Sequence, residues 1–202
     1  MQADSITCAA SIGAGVIGYS WALKFAMAGL EVWAQNRTEE SSALARKRVH
    51  ASLESLVKNG VYDDAQAAQI ETRIHYTTSV AEAVAHAQFI QESSSEHYEV
   101  KWELVRELEA AAAPDAIIAS STSGLLVTEI AKNAEHPERF CGGHPYNPPH
   151  LIPLVEITKG EKTADATVDC AKAFYARIGM EPVVLQKEAL GFICNRLQMA
   201  LY

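Results

Sequence analysis

Gly13-Ala14-Gly15-Val16-Ile17-Gly18 separates an apolar run, residues 5–12, from a stretch patterned as an amphipathic helix. Glycines in this spacing mean little alone. Here they leave a strand and open a helix, and a second strand-like run at 31–35 follows within the span of one strand–helix–strand unit. The first glycine permits a tight turn, the second lets backbone approach a pyrophosphate, and the third lets the helix pack closely on the strand. The helix start adds free N–H groups and the positive end of the macrodipole. Gly13, Gly15, Val16, Ile17 and Gly18 are therefore read as a dinucleotide-binding turn.

Outward from the turn, short apolar runs alternate with helical patterns, as in a parallel sheet covered on both faces. Strands are expected near 5–12, 31–35, 74–76, 88–91, 117–120, 140–142, 155–158 and 182–185. Val49, Leu53, Leu56 and Val57, like Val100, Leu104, Leu108 and Ala111, recur at helical spacing and read as core stripes. Residues 142–153 contain four prolines, Pro145, Pro148, Pro149 and Pro153, and are expected to form a rigid, irregular loop. Residues 188–202 read as a helix with an apolar stripe of Leu190, Ile193, Leu197 and Leu201. The expected fold is α/β, a Rossmann-like doubly wound, mostly parallel sheet over 1–187. Nothing in 188–202 covers that stripe, so the polypeptide is expected to continue.

Composition narrows the function. The 202 residues are 49% hydrophobic and 21% charged, enough for a sizeable core. A net charge of −8 opposes binding to nucleic acid or anionic membranes. The apolar stretch 6–30 is preceded by Asp4, interrupted by Lys24 and broken by glycines, so no membrane span is expected. Cys8, Cys141, Cys170 and Cys194 lie far apart, with neither metal-site nor disulfide spacing, which points to buried thiols in the cytoplasm.

Cofactor choice turns on Asn36. In NAD-binding turns an acidic residue roughly 20 positions on holds the adenosine ribose. Asn36-Arg37-Thr38 stands there instead. A neutral amide does not repel a 2′-phosphate and the Arg37 guanidinium can pair with one, so these residues leave NAD and NADP both open.

Four further motifs follow in order: Ser120-Ser121-Thr122-Ser123, Gly143-His144-Pro145-Tyr146-Asn147-Pro148-Pro149, Pro153-Leu154-Val155-Glu156 and Gly191-Phe192-Ile193-Cys194-Asn195-Arg196. Read singly, each has ordinary explanations. His144 could bond backbone or join His150 at a metal, Ser123 could cap a helix near Leu125, and Asn195 could be a polar face residue. Their joint order and spacing resemble the 3-hydroxyacyl-CoA dehydrogenase family over nearly the whole chain. Within it, the proline-rich loop and Ile152-Pro153-Leu154-Val155-Glu156 are most similar to the branch of carnitine and gulonate dehydrogenases and lambda-crystallin.

The resemblance implies an NAD(P)-dependent oxidoreductase that interconverts a 3-hydroxy acid or 3-hydroxyacyl-CoA and its 3-oxo form, as in fatty acid metabolism. It assigns His144 as general base, Glu156 as its carboxylate partner, and Ser123 and Asn195 as donors to the substrate oxygen. These roles agree with the chemistry of each side chain. It assigns Glu96 and Lys101 to the cofactor side, no metal, an all-α C-terminal domain outside this chain into which 188–202 would lead, and a homodimer once that domain is present. Between 43 and 68 the only basic residues are Arg46, Lys47, Arg48 and Lys58. That is sparse for a CoA phosphate site and favours a small carboxylate-bearing substrate.

Two other readings stand beside this one. A catalytically silent, crystallin-like protein would keep the cofactor site without turnover. Another group of 3-hydroxy-acid dehydrogenases resembles the chain at Asn36-Arg37-Thr38 but uses a lysine as acid/base. Here Arg196 follows Asn195, and a guanidinium does not exchange protons near neutrality.

Overall fold

The glycine turn sits where the sequence places it. In the computed structural model, which describes residues 1–201, β1 (Cys8–Ile12) feeds the turn and α1 (Val16–Met27) leaves it. Gly29, in the left-handed region at φ 88°, ends α1 and turns the chain into β2 (Glu31–Gln35). Thr38 and Ser41 form a reciprocal capping box that starts α2 (Glu39–Lys58), and Asp63 and Gln66 do the same for α3 (Asp64–Thr72).

The chain continues through β3 (Ile74–Thr77), α4 (Val80–Val84), β4 (Phe89–Glu92), α5 (Tyr98–Ala111), β5 (Ile117–Ser120), α6 (Val127–Ile130) and β6 (Phe140–Pro145). It then forms β7 (Leu154–Thr158), α7 (Asp165–Arg177), β8 (Glu181–Val184) and α8 (Cys194–Met199). The eight strands make one sheet in the order β3-β2-β1-β4-β5-β6-β7-β8. Neighbours from β3 to β6 are parallel; β7 runs against β6, and β8 is parallel to β7. The doubly wound, mostly parallel sheet expected from sequence is the fold observed.

Strand residues alternate between two cores. Ala9, Phe89 and Ile117 face one, packed by α1, α2, α3 and α7, whereas Ala10, Ile90 and Ile118 face the other, packed by α4, α5 and α6. Trp21, Phe25, Phe89, Phe174 and Tyr175 interlock in the first core, with Phe89 and Phe174 stacked at 4.2 Å. Burying each such ring contributes roughly 1.5–3 kcal/mol.

Two expectations are corrected. The proline-rich segment does not begin as a loop: 142–145 completes β6, so His144 stands on a strand. Pairing with β5 stops at Gly142, while pairing with β7 continues to Pro145. Pro145 thus ends the strand where its missing N–H leaves no gap on the β5 side. The helix expected over 188–202 is also shorter. Gly191 (φ 74°) and Phe192 (φ 47°) break the chain before Cys194, and Tyr202 lies outside the described residues. A left-handed phenylalanine is unfavourable; its ring, 1% exposed, gains burial against His144 at 5.2 Å in return.

Candidate active site

All the candidate residues gather at one end of the sheet, outside the C-terminal ends of β1, β4, β5 and β6, where open α/β folds bind ligands. β7 runs the other way, so its N-terminal residues reach the same edge.

The turn is held by backbone. Gly13 and Ala14 donate to the Gln35 carbonyl at 3.0 Å, tying the turn to the end of β2. A Cβ on Gly13 would meet the Ser93 carbonyl oxygen at 2.9 Å, and one on Gly18 would run into the Gly13 carbonyl. A Cβ on Gly15 meets nothing closer than 3.9 Å. Protein packing therefore demands the first and third glycines, while the second faces open space, as a phosphate-approach position must. α1 begins with no side-chain cap and no acidic residue in its first turn, leaving its amides for an anion. These features fit a dinucleotide pyrophosphate.

Asn36 follows β2 directly, is 4% exposed, and its Nδ2 has no hydrogen-bond partner. Arg37 is exposed beside it. No carboxylate stands at the position that would hold the adenosine ribose.

The β6–β7 corner is built from side chains. Antiparallel register sets His144 directly opposite Glu156, and His144 Nδ1 donates to Glu156 Oε2 at 2.9 Å. Both are buried, with 6% and 1% exposure. Because the carboxylate is the acceptor, the proton sits on Nδ1 and the Nε2 lone pair remains, the arrangement a general base needs. Tyr146 Oη donates to the same oxygen at 3.3 Å, and the Ile193 and Cys194 amides donate to Oε1 at 3.0 and 3.1 Å. The left-handed turn at Gly191-Phe192 delivers those two amides.

Ser123 and Asn195 are brought together: Asn195 Nδ2 donates to the Ser123 carbonyl at 3.4 Å. Ser123 does not cap a helix. Thr122 Oγ1 accepts from Leu125 N at 2.8 Å in the turn before α6, which itself has no side-chain cap, and the exposed Ser123 hydroxyl is unbonded among the described residues. Glu96 Oε1 grips this loop, accepting from Thr122 Oγ1 at 2.6 Å and from the amides of Ser123 and Gly124 at 2.8 and 3.1 Å.

Lys101, expected on the cofactor side, lies inside the protein beneath the site. It is 1% exposed and bonds both oxygens of Glu92, at 2.9 and 2.8 Å, with Glu96 3.8 Å away. Its amphipathic helix turns it inward because Glu92 ends β4 as a buried acid that must be paired. Burial alone would raise the Glu92 carboxyl. The Lys101 charge and hydrogen bonds from Lys101, Ser120 and Ser94 outweigh burial and hold it below the usual carboxylate range. Any influence of Lys101 on a ligand passes through Glu92 and Glu96.

His150 does not join His144. Its Nδ1 shares a 2.7 Å hydrogen bond with Ser20 of α1, docking the proline-rich segment onto the helix that leaves the turn. Burial, then the nearby Lys24, pushes its pKa down.

Sequence reasoning missed Glu92 and Tyr146. Glu92 carried a signal, an acid closing the otherwise buried run Phe89-Ile90-Gln91, with a lysine on the next helix. Tyr146 carried none, since only the strand reversal brings its phenol to Glu156.

Comparison with known proteins gives concordant matches. A family profile described as 3-hydroxyacyl-CoA dehydrogenase, NAD binding domain, matches residues 8–189. An L-carnitine dehydrogenase of Burkholderia mallei is 44% identical over 193 residues, which is 96% of this chain and 59% of that protein. One from a Pseudomonas species is 42% identical over the same shares. The solved structure of (S)-3-hydroxybutyryl-CoA dehydrogenase from Ralstonia eutropha superposes with a TM-score of 0.93 at 28% identity, covering 98% of this chain and 69% of that one. The chain thus spans about 59% of the length of the curated relatives it matches first.

Proposed function

The chain belongs to the 3-hydroxyacyl-CoA dehydrogenase family, whose NAD-binding domain it carries over residues 8–189, and from that premise we propose that it serves the reversible oxidation of a small 3-hydroxy acid to its 3-oxo acid. The observation that carries the reading is the buried His144–Glu156 pair beside a dinucleotide turn.

In this mechanism Gly13, Gly15 and the first amides of α1 hold the cofactor pyrophosphate, and Glu96 faces its nicotinamide side. When bound, the nicotinamide supplies hydride chemistry at the substrate carbinol carbon. His144 Nε2 takes the hydroxyl proton, and Glu156 fixes the tautomer and stabilises the imidazolium that forms. In the reducing direction His144 returns that proton. Ser123 and Asn195 stabilise charge developing on the substrate oxygen.

A free hydroxy acid is favoured over a CoA thioester. Of the few basic side chains on α2, Arg46 lies over the Tyr76 ring at 4.4 Å and Arg48 over the Tyr19 ring at 5.8 Å. Those two guanidiniums are engaged with aromatic faces rather than assembled into a phosphate site. The relatives named as L-carnitine dehydrogenases point to the same substrate class. A cytoplasmic homodimer belongs to this proposal; among the described residues no helix is long and apolar enough to cross a membrane.

The test is oxidation of carnitine, gulonate and 3-hydroxybutyrate against 3-hydroxybutyryl-CoA, with NAD and NADP. We expect the free acids to give kcat/KM at least tenfold above the thioester. A reversed order overturns the substrate class, and cofactor binding without turnover across the panel overturns the enzymatic reading.

A further inference from the structure

We propose that Tyr146 is a positioning residue for the acid/base pair, setting through Glu156 how basic His144 is. The inference rests on the reading of His144 as the base, and deepens it.

The geometry begins with the end of β6. Beyond Pro145 the Tyr146 amide still donates to the Leu154 carbonyl at 3.1 Å, so the antiparallel contact with β7 extends one residue past the strand. This turns the side chain back over the corner. Its ring stands edge-on to the His144 imidazole at 5.5 Å and 62°, and its hydroxyl donates to Glu156 Oε2 at 3.3 Å. His144 Nδ1 uses that same oxygen at 2.9 Å.

The charge around Glu156 gives this contact its effect. The carboxylate is 1% exposed, and among the described residues its only basic partner within ion-pair distance is His144. Three neutral donors share the rest of its charge: the Ile193 amide, the Cys194 amide and the Tyr146 hydroxyl. Two are backbone and fixed. Tyr146 alone can be removed by substitution without touching the dyad. The ionisable groups facing the corner are His144 on β6, Tyr146 beyond it, Glu156 on β7 and Cys194 on α8. Burial first, then Cys194 and Glu156, push the phenol well above its ordinary range, so it remains a protonated donor throughout the working pH range.

The sign follows from the donor count. Each hydrogen bond accepted by the carboxylate disperses its negative charge and weakens its pull on a proton at His144. With the phenol in place, His144 loses its proton at a lower pH, and more of it stands ready as neutral base. Without the phenol, Glu156 holds the imidazolium more tightly and the base form appears only at higher pH.

The experiment compares Tyr146→Phe with the parent, using the protein's entire polypeptide, and measures the pH dependence of kcat/KM for alcohol oxidation together with the Kd for NADH. We expect the acid limb to move upward by about half a pH unit, and kcat/KM below that limb to fall about threefold, the scale of one hydrogen bond. KM and Kd should stay within about twofold, because the phenol acts on the base rather than on ligand binding. A merely structural role would not displace the limb. A profile coincident with the parent's, or displaced downward, overturns the proposal. His144→Gln measured alongside separates the two claims. If it retains turnover, the acid/base reading fails and this inference with it. If it abolishes turnover while Tyr146→Phe keeps the parent's profile, only the role of Tyr146 fails.

Discussion

The two halves of the site are made of different material. The turn at Gly13–Gly18 is backbone: its amides bond the Gln35 carbonyl, and its first and third glycines are required by carbonyl oxygens of Ser93 and Gly13. The corner at β6–β7 is side chain: His144, Glu156 and Tyr146 meet only because β7 reverses direction. A backbone site tolerates few residue types but needs no distant partner. A side-chain site depends on register between strands and can be retuned one group at a time. Binding and proton transfer should therefore be separable by mutation, and what lies between the halves should damage both.

The largest effect falls on that connection. Glu92 and Lys101 sit under both regions, since Ser93 packs on Gly13 and Glu96, near Lys101, holds the Ser123 loop. Lys101→Met leaves a buried carboxylate without its cation, which should cost about 3–5 kcal/mol of stability at neutral pH. The pH dependence has a definite sign. In the parent, the folded Glu92 pKa lies below its unfolded value, so its contribution is present above the ordinary glutamate range and is lost as pH falls through the depressed value. In the variant, burial without a cation favours the protonated acid instead. Urea unfolding at pH 7 and pH 4 should show the gap between parent and variant shrinking on acidification. A gap independent of pH would remove Glu92 from the explanation.

A smaller effect sharpens the comparison on the turn side. Asn36→Asp restores a ribose acceptor and repels a 2′-phosphate, so the ratio of NADPH to NADH dissociation constants should rise at least about tenfold. Turnover with saturating NAD should hold, since the corner is untouched. An unchanged ratio would show that Asn36 does not face the adenosine ribose.

The same division explains what was legible in the sequence. Glycine spacing, the flanking strands and α1 were readable because local backbone rules dictate them, and the eight strands were each placed near their observed positions. The direction of β7 was not, because 140–142 and 155–158 read alike as short apolar runs whichever way they pair. His144 and Glu156 were both named, yet their 2.9 Å contact comes from register, which no spacing of 12 residues specifies. The burial of Lys101 was not legible either, because its five-residue distance from Glu96 equally fits an exposed helix face. Only the acid at the end of β4 draws its ammonium inside. The helix expected from 188 fails at Gly191-Phe192, where burial of one aromatic ring against His144 outweighs helical periodicity.

The central claim is that one half binds and the other moves the proton. Its most direct test is His144→Gln, with NADH affinity by fluorescence titration and turnover of the best 3-hydroxy acid measured on the same preparation. The dissociation constant should stay within about twofold of the parent's while turnover falls by about 10²–10⁴, the share general base catalysis supplies. Near-normal turnover with the cofactor still bound would contradict it.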